Sequence, residues 1–206
     1  MTGRRMQDNK KIARLYVTDY EGKMREMLDE LNDYLEERDK IINTIYLKRK
    51  NFLLSKKETI KEFLEERDYV SSRSYEPDRM NETFYCDENA HLLTLFIFDF
   101  LHIVISSGSD IRNYRIDLLI GEEKPDFRNT VLVEGIDNTI GFYGKTHDEV
   151  TEEFVEDQLN KARHNIRIFR EKLENFNEED LIYSYNDIER LDLVETLTMI
   201  LNETRI

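Results

Sequence analysis

Nine positions between residues 24 and 52 recur at alternating steps of four and three: Met24, Leu28, Leu31, Leu35, Arg38, Ile42, Ile45, Arg49 and Phe52. A helix gathers such positions into one stripe, and a stripe this long has to be covered by a second helix. Residues 155–176 repeat the alternation with Val155, Leu159, Ala162, Ile166, Phe169, Leu173 and Phe176. The first stripe therefore has two available covers, another copy of the chain or the second stripe of the same chain. Arg38 and Arg49 stand at inward positions. A charge there either fixes register and partner choice or lays its stem along the seam and carries its head out to water.

No glycine falls between Gly22 and Gly108, and the first proline is Pro77, so a helix can start near residue 23 and run far. Past Phe52 the apolar set moves to Leu53, Ile60 and Leu64. Ser55 followed by Glu58 has the spacing of a capping box, which predicts a turn at residues 51–55 and a helical hairpin. One long helix with a shifted seam is the other reading. Residues 71–86 carry Ser, Pro and Asn and read as a connector. The expected organisation is a basic N-terminal arm (1–22), a coiled-coil or helical-hairpin region (23–72) and an α+β globular domain (73–206).

Within that domain, Asp87 reads as the N-cap of a helix over 88–106, stopped by Ser107-Gly108-Ser109. The apolar run LLTLFIFDFLHIVI lies inside it. Asp99 and His102 interrupt the run, which is shorter than a membrane span, so a buried helix is expected, with those two residues hydrogen-bonded to each other. Residues 114–120 alternate like a strand, and 130–134 and 139–143 read as a hairpin. Thr146 and Glu149 offer another capping box for a helix to about residue 176, and a last helix is expected over 186–203. The fold class that follows is α+β and predominantly helical, with a small three-stranded antiparallel sheet packed by helices.

Charge narrows the partners. Lys and Arg number 30 against 44 Asp and Glu, a formal charge of −14. The first fourteen residues are net +4, with five basic side chains and Asp8, which leaves −18 for the remainder. Such a field favours a protein partner with a basic surface and disfavours direct nucleic-acid binding except through the basic arm. Cys86 is the only cysteine, so no intrachain disulfide can form, and an intracellular, cytoplasmic setting is expected.

The segment YRIDLLI (114–120) followed by VLVEGI (131–136) resembles the PD-(D/E)xK nuclease superfamily over residues 88–176. The resemblance implies that Asp117 and Glu134 would hold Mg²⁺, with Glu88 as an additional acid and a lysine assisting the attack of water on phosphate. Ile136 occupies the usual lysine position, so Lys145 would have to serve instead. Read without the resemblance, Asp117 is an outward residue of a half-exposed strand and Glu134 the end of an edge strand. Gly144-Lys145-Thr146 echoes a phosphate loop but lacks its first glycine, and a helix cap explains it better.

These patterns lead to a non-enzymatic acidic interaction or assembly protein that engages a basic surface, for example on a nucleic-acid-binding protein, and needs no cofactor. A divergent Mg²⁺-dependent nuclease is the alternative. The expected interaction residues are Leu28, Leu31, Leu35, Arg38, Ile42, Ile45 and Arg49 on the seam, where a homodimer could form. Glu178, Glu179, Asp180, Tyr183 and Tyr185 join them in an acidic, aromatic tract.

Overall fold

The structure, a computed structural model, describes residues 20–72, 81–86, 91–120, 140–142, 145–186, 188–190 and 192–204. In chain order its elements are α1 (Lys23–Ser55), α2 (Lys57–Glu65), β1 (Val70–Ser72), β2 (Asn81–Cys86), β3 (His91–Ile97), β4 (Phe100–Ser107) and β5 (Asp110–Ile120), followed by α3 (Glu152–Glu174), β6 (Leu181–Tyr185), β7 (Ile188–Arg190) and α4 (Leu193–Thr204). Single 3-10 turns occupy His147–Glu149 and Glu178–Asp180. Contacts divide the chain into two compact units, residues 1–44 with 134–175 and residues 45–133 with 176–206.

The first unit is organised around the front of α1 and the whole of α3. Thr151 caps α3, its Oγ1 accepting the Phe154 amide at 3.2 Å. One turn earlier, Glu149 accepts from the Thr146 amide at 2.8 Å and its hydroxyl at 3.0 Å. That capping box closes the 3-10 turn, and α3 starts later than its spacing suggests. Met24, Met27, Leu28, Leu31 and Leu35 of α1 bury themselves with Val155, Leu159 and Ala162 of α3, and with Phe142 and Val150. Each fully buried leucine adds about 1.5–3 kcal/mol relative to exposure. The front of the first stripe is thus covered by the front of the second, while Phe52 at its far end belongs to the core of the other unit.

Ion pairs flank this seam. Arg163 reaches Glu30 at 2.7 Å, and Arg170 reaches Glu37 at 2.6 Å. Both partners advance by one heptad in the same direction, so α1 and α3 run parallel. A hairpin with the next helix would be antiparallel. The hairpin expectation also misplaces the break: α1 continues to Ser55, and the turn falls on Lys56. Ser55 donates its hydroxyl to the Phe52 carbonyl at 2.7 Å, closing α1, and α2 has no side-chain cap at its start.

The second unit carries a seven-stranded antiparallel sheet in simple sequence order, β1 through β7. This replaces the expected three-stranded sheet. The helix expected over 88–106 is instead the hairpin β3–β4, paired from His91↔Ser107 to Ile97↔Leu101. Apolar residues at both parities, Leu92 and Phe96 beside Leu93, Leu95 and Ile97, hid the two-residue period in a run that looks uniformly buried. The residues 114–120 do form a strand, as the inner part of β5. Of the hairpin expected over 130–143, residues 130–139 and 143 lie outside the described residues, and 140–142 are not strand.

One face of the sheet forms the core. Leu93, Leu95, Ile103, Ile105, Ile116 and Leu118 pack with Phe52 and Leu53 of α1, Ile60, Phe63 and Leu64 of α2, and Leu197, Ile200 and Leu201 of α4. The final helix is shorter than expected because Asn186 turns the chain at φ 50 and β7 follows. Asp192 then starts α4 by accepting the Glu195 amide at 2.9 Å.

Candidate functional site

Four charged side chains of the second unit gather where β3 turns into β4. Asp117 pairs with Phe100 across β4–β5, so it emerges beside the turn holding Phe98 and Asp99. It is 7% exposed, far more buried than its expected outward role requires. Arg115, two residues along the same face, donates to Asp117 Oδ1 from Nε at 2.8 Å and from a terminal nitrogen at 2.6 Å. The guanidinium also lies over the Phe100 ring, 4.0 Å from its centroid. This salt bridge is shielded on one side by an aromatic face.

Asp99 completes the group. Burial pushes its carboxyl up from the usual carboxylate range, and the Asp117 charge adds to that, while its own backbone hydrogen bond and the Arg49 and Arg115 charges oppose. Arg49 is itself buried. That burial is at odds with a head carried out to water, and the Arg49 charge is among those that oppose the rise at Asp99. Burial, with the Asp99 charge second, raises the Tyr46 hydroxyl. Asp99 and His102 make no pair of the expected kind. His102 instead meets Asn113 across the strands at 3.3 Å and stacks on Phe96 at 5.6 Å.

Two carboxylates and two guanidinium groups give an electrically balanced cluster. A divalent cation would have to displace Arg115 from Asp117 and enter beside a second fixed positive charge, which opposes the Mg²⁺ chemistry implied by the nuclease resemblance. Among the described residues, no three or more His, Cys, Asp or Glu side chains form a group able to hold a metal. Glu134 and Glu88 lie outside the described residues. Lys145 belongs to the first unit, where its ammonium lies 3.7 Å from Glu149 and 5.6 Å from the centroid of the Phe154 ring.

The expected interaction residues divide sharply. Leu28, Leu31 and Leu35 are spent on the intrachain seam, Ile45 is buried, and Ile42 is half-buried. Arg38 is half-buried, its guanidinium 3.1 Å from Asp39. Glu178, Glu179 and Asp180 are exposed on their 3-10 turn. Tyr183 and Tyr185 are inside the core of the sheet, against the expectation of a surface aromatic tract. Strand alternation places both on the packed face. Burial, then the Asp192 charge, pushes the Tyr183 hydroxyl up to about 12. Tyr185 is raised by burial and by its 2.7 Å hydrogen bond to Glu203.

What the sequence reading missed is the sheet face opposite the core. Val70, Tyr85, Leu92 and Ile111 are all exposed there. The signal of Leu92 was absorbed into the supposed helix 88–106 and that of Tyr85 into the connector 71–86, while Val70 and Ile111 fell just outside both. No helix among the described residues is long and apolar enough to cross a membrane. Comparison with protein-family models, with curated proteins and with solved structures found no match.

Proposed function

We propose that this is a non-enzymatic assembly protein whose acidic helix pair in the first unit engages a basic protein surface, such as that of a nucleic-acid-binding protein. The observation that carries this reading is the satisfied seam. Leu28 and Leu31 are fully buried against α3, so what the pair leaves for a partner is its outer surface, where carboxylates stand among exposed basic residues such as Arg25 and Arg167. Glu26, Asp29 and Asp33 are exposed on α1, and Glu152, Glu153 and Glu156 on α3. Rows of carboxylates on rigid helices steer a cationic partner and fix its register, with rates that fall as salt rises.

The balanced cluster around Asp99 supports the same reading from the other unit, because its charges neutralise one another rather than wait for substrate. A lysine- and arginine-rich helical peptide with a fluorescent label provides the test. Its anisotropy is titrated with the full chain, with Asp29→Lys/Asp33→Lys/Glu153→Lys, and with a control carrying Glu178→Lys/Glu179→Lys/Asp180→Lys. Binding reduced about tenfold or more by the first triple change and much less by the second is expected. Equal losses in the two would reduce the effect to net charge and remove the assignment to the helix pair.

A further inference from the structure

An antiparallel sheet with one packed face ordinarily turns polar side chains to water on the other. This one does not. The register places Val70, Tyr85, Leu92, Ser106 and Ile111 in a single row across β1–β5 on the face opposite the core. Val70 is 68% exposed, Ile111 64%, Tyr85 43% and Leu92 42%. At a strand spacing of about 4.8 Å the row spans about 19 Å. The neighbouring row is Thr83, Thr94, Val104 and Asn113, and beyond it Phe96 stacks on His102.

The same face is short of charge. On β1–β5 its described carboxylate is Asp117, which is buried and held by Arg115. Among the described residues of that face a basic partner finds no exposed carboxylate to pair with, and an acidic one finds a guanidinium already engaged. The complementary surface is neutral and apolar, and the chain supplies one itself. We infer that this face is a self-association surface on which two copies stack sheet to sheet. A two-fold axis midway between the sheets and parallel to the row lays each apolar row on the other, with the sheets about 10 Å apart. Repulsion between two copies of net charge −14 opposes the contact, and ions screen it within about 8 Å at physiological salt.

Sedimentation equilibrium of the full chain, from micromolar to near-millimolar concentration and at low and high salt, tests this. A reversible dimer that tightens with salt is expected, and Leu92→Glu/Ile111→Glu should weaken it about tenfold or more. Val70→Lys, at the most exposed position of the row, gives the same readout should the double variant fail to fold. A chain that is monomeric throughout, a dimer indifferent to these changes, or one that salt weakens would overturn the inference.

Discussion

Arg170 grips Glu37 with two hydrogen bonds, at 2.6 and 2.7 Å, across 133 positions of chain, and Arg163 holds Glu30 across the same separation. Equal separations a heptad apart are the signature of a parallel helix pair in register. The pair is exposed, so its contribution is small and screened by salt, yet it is specific. Arg170 and the resulting hydrogen bond hold the Glu37 carboxyl below the usual range. Glu37→Lys should therefore lower stability at low salt, and Glu37→Lys/Arg170→Glu should recover most of the loss. A double-mutant cycle by urea denaturation at two salt concentrations measures the coupling, which should shrink in high salt.

Leu31 is fully buried in the seam, whereas Leu47 is 52% exposed on the same helix. Both are leucines in α1, so helix propensity cancels and packing alone separates them. Leu31→Ala should cost about 2–5 kcal/mol. Leu47→Ala should stay within about 0.5 kcal/mol of the parent. Denaturant midpoints at unchanged slope check both.

The two stripes were legible because a 3.6-residue period leaves an unmistakable pattern, and Leu28, Leu31, Val155 and Leu159 each sit where the spacing puts them; that the second stripe of the same chain covers the first, rather than another copy, was not. Direction was not legible, since a stripe is the same read either way; the parallel sense needed Glu30 and Arg163 in space. The sheet was mostly hidden. In β3 and β4, Leu92, Phe96 and Val104 occupy the outer face with apolar side chains, so the alternation that marks a half-exposed strand disappears. The site suffered in turn: once 88–106 was read as a helix, Asp99 and His102 fell on one helical face. In the hairpin, Asp99 sits in the turn and His102 faces Asn113. Arg49 stands out by its inward spacing, but Asp99, on which its charge acts, comes near it only with the hairpin.

Asp117 is held at 2.6 Å by Arg115 and is almost fully buried. Its removal leaves a guanidinium packed over Phe100 without its closest counter-charge. Asp117→Ala should cost about 1.5–3 kcal/mol, the range of hydrogen bonds to charged groups. Arg115→Met keeps the apolar stem over Phe100 but leaves the deeper carboxylate uncompensated, and should cost at least as much. Thermal denaturation of the two variants decides the order, and an Asp117→Ala chain as stable as the parent would show that the pair is incidental.

Asp99 behaves oppositely to Glu37. Its carboxyl is pushed above the usual carboxylate range, first by burial, despite the arginine charges nearby. The folded chain therefore holds that proton more tightly than the unfolded chain. The sign follows: this group's favourable contribution is fully present below the unfolded value and is lost as pH rises through the folded one. At neutral pH the ionised carboxylate is a burden on the fold. Asp99→Asn keeps the shape of the side chain without the charge. It should raise the melting temperature at pH 7, and the gain should vanish as pH falls below about 4, where the parent carries the proton in both states. Melting curves of parent and variant across that window test it. A gain that grows toward acid pH would mean that Arg49 and Arg115 outweigh burial and that the cluster is held together by the charge of Asp99.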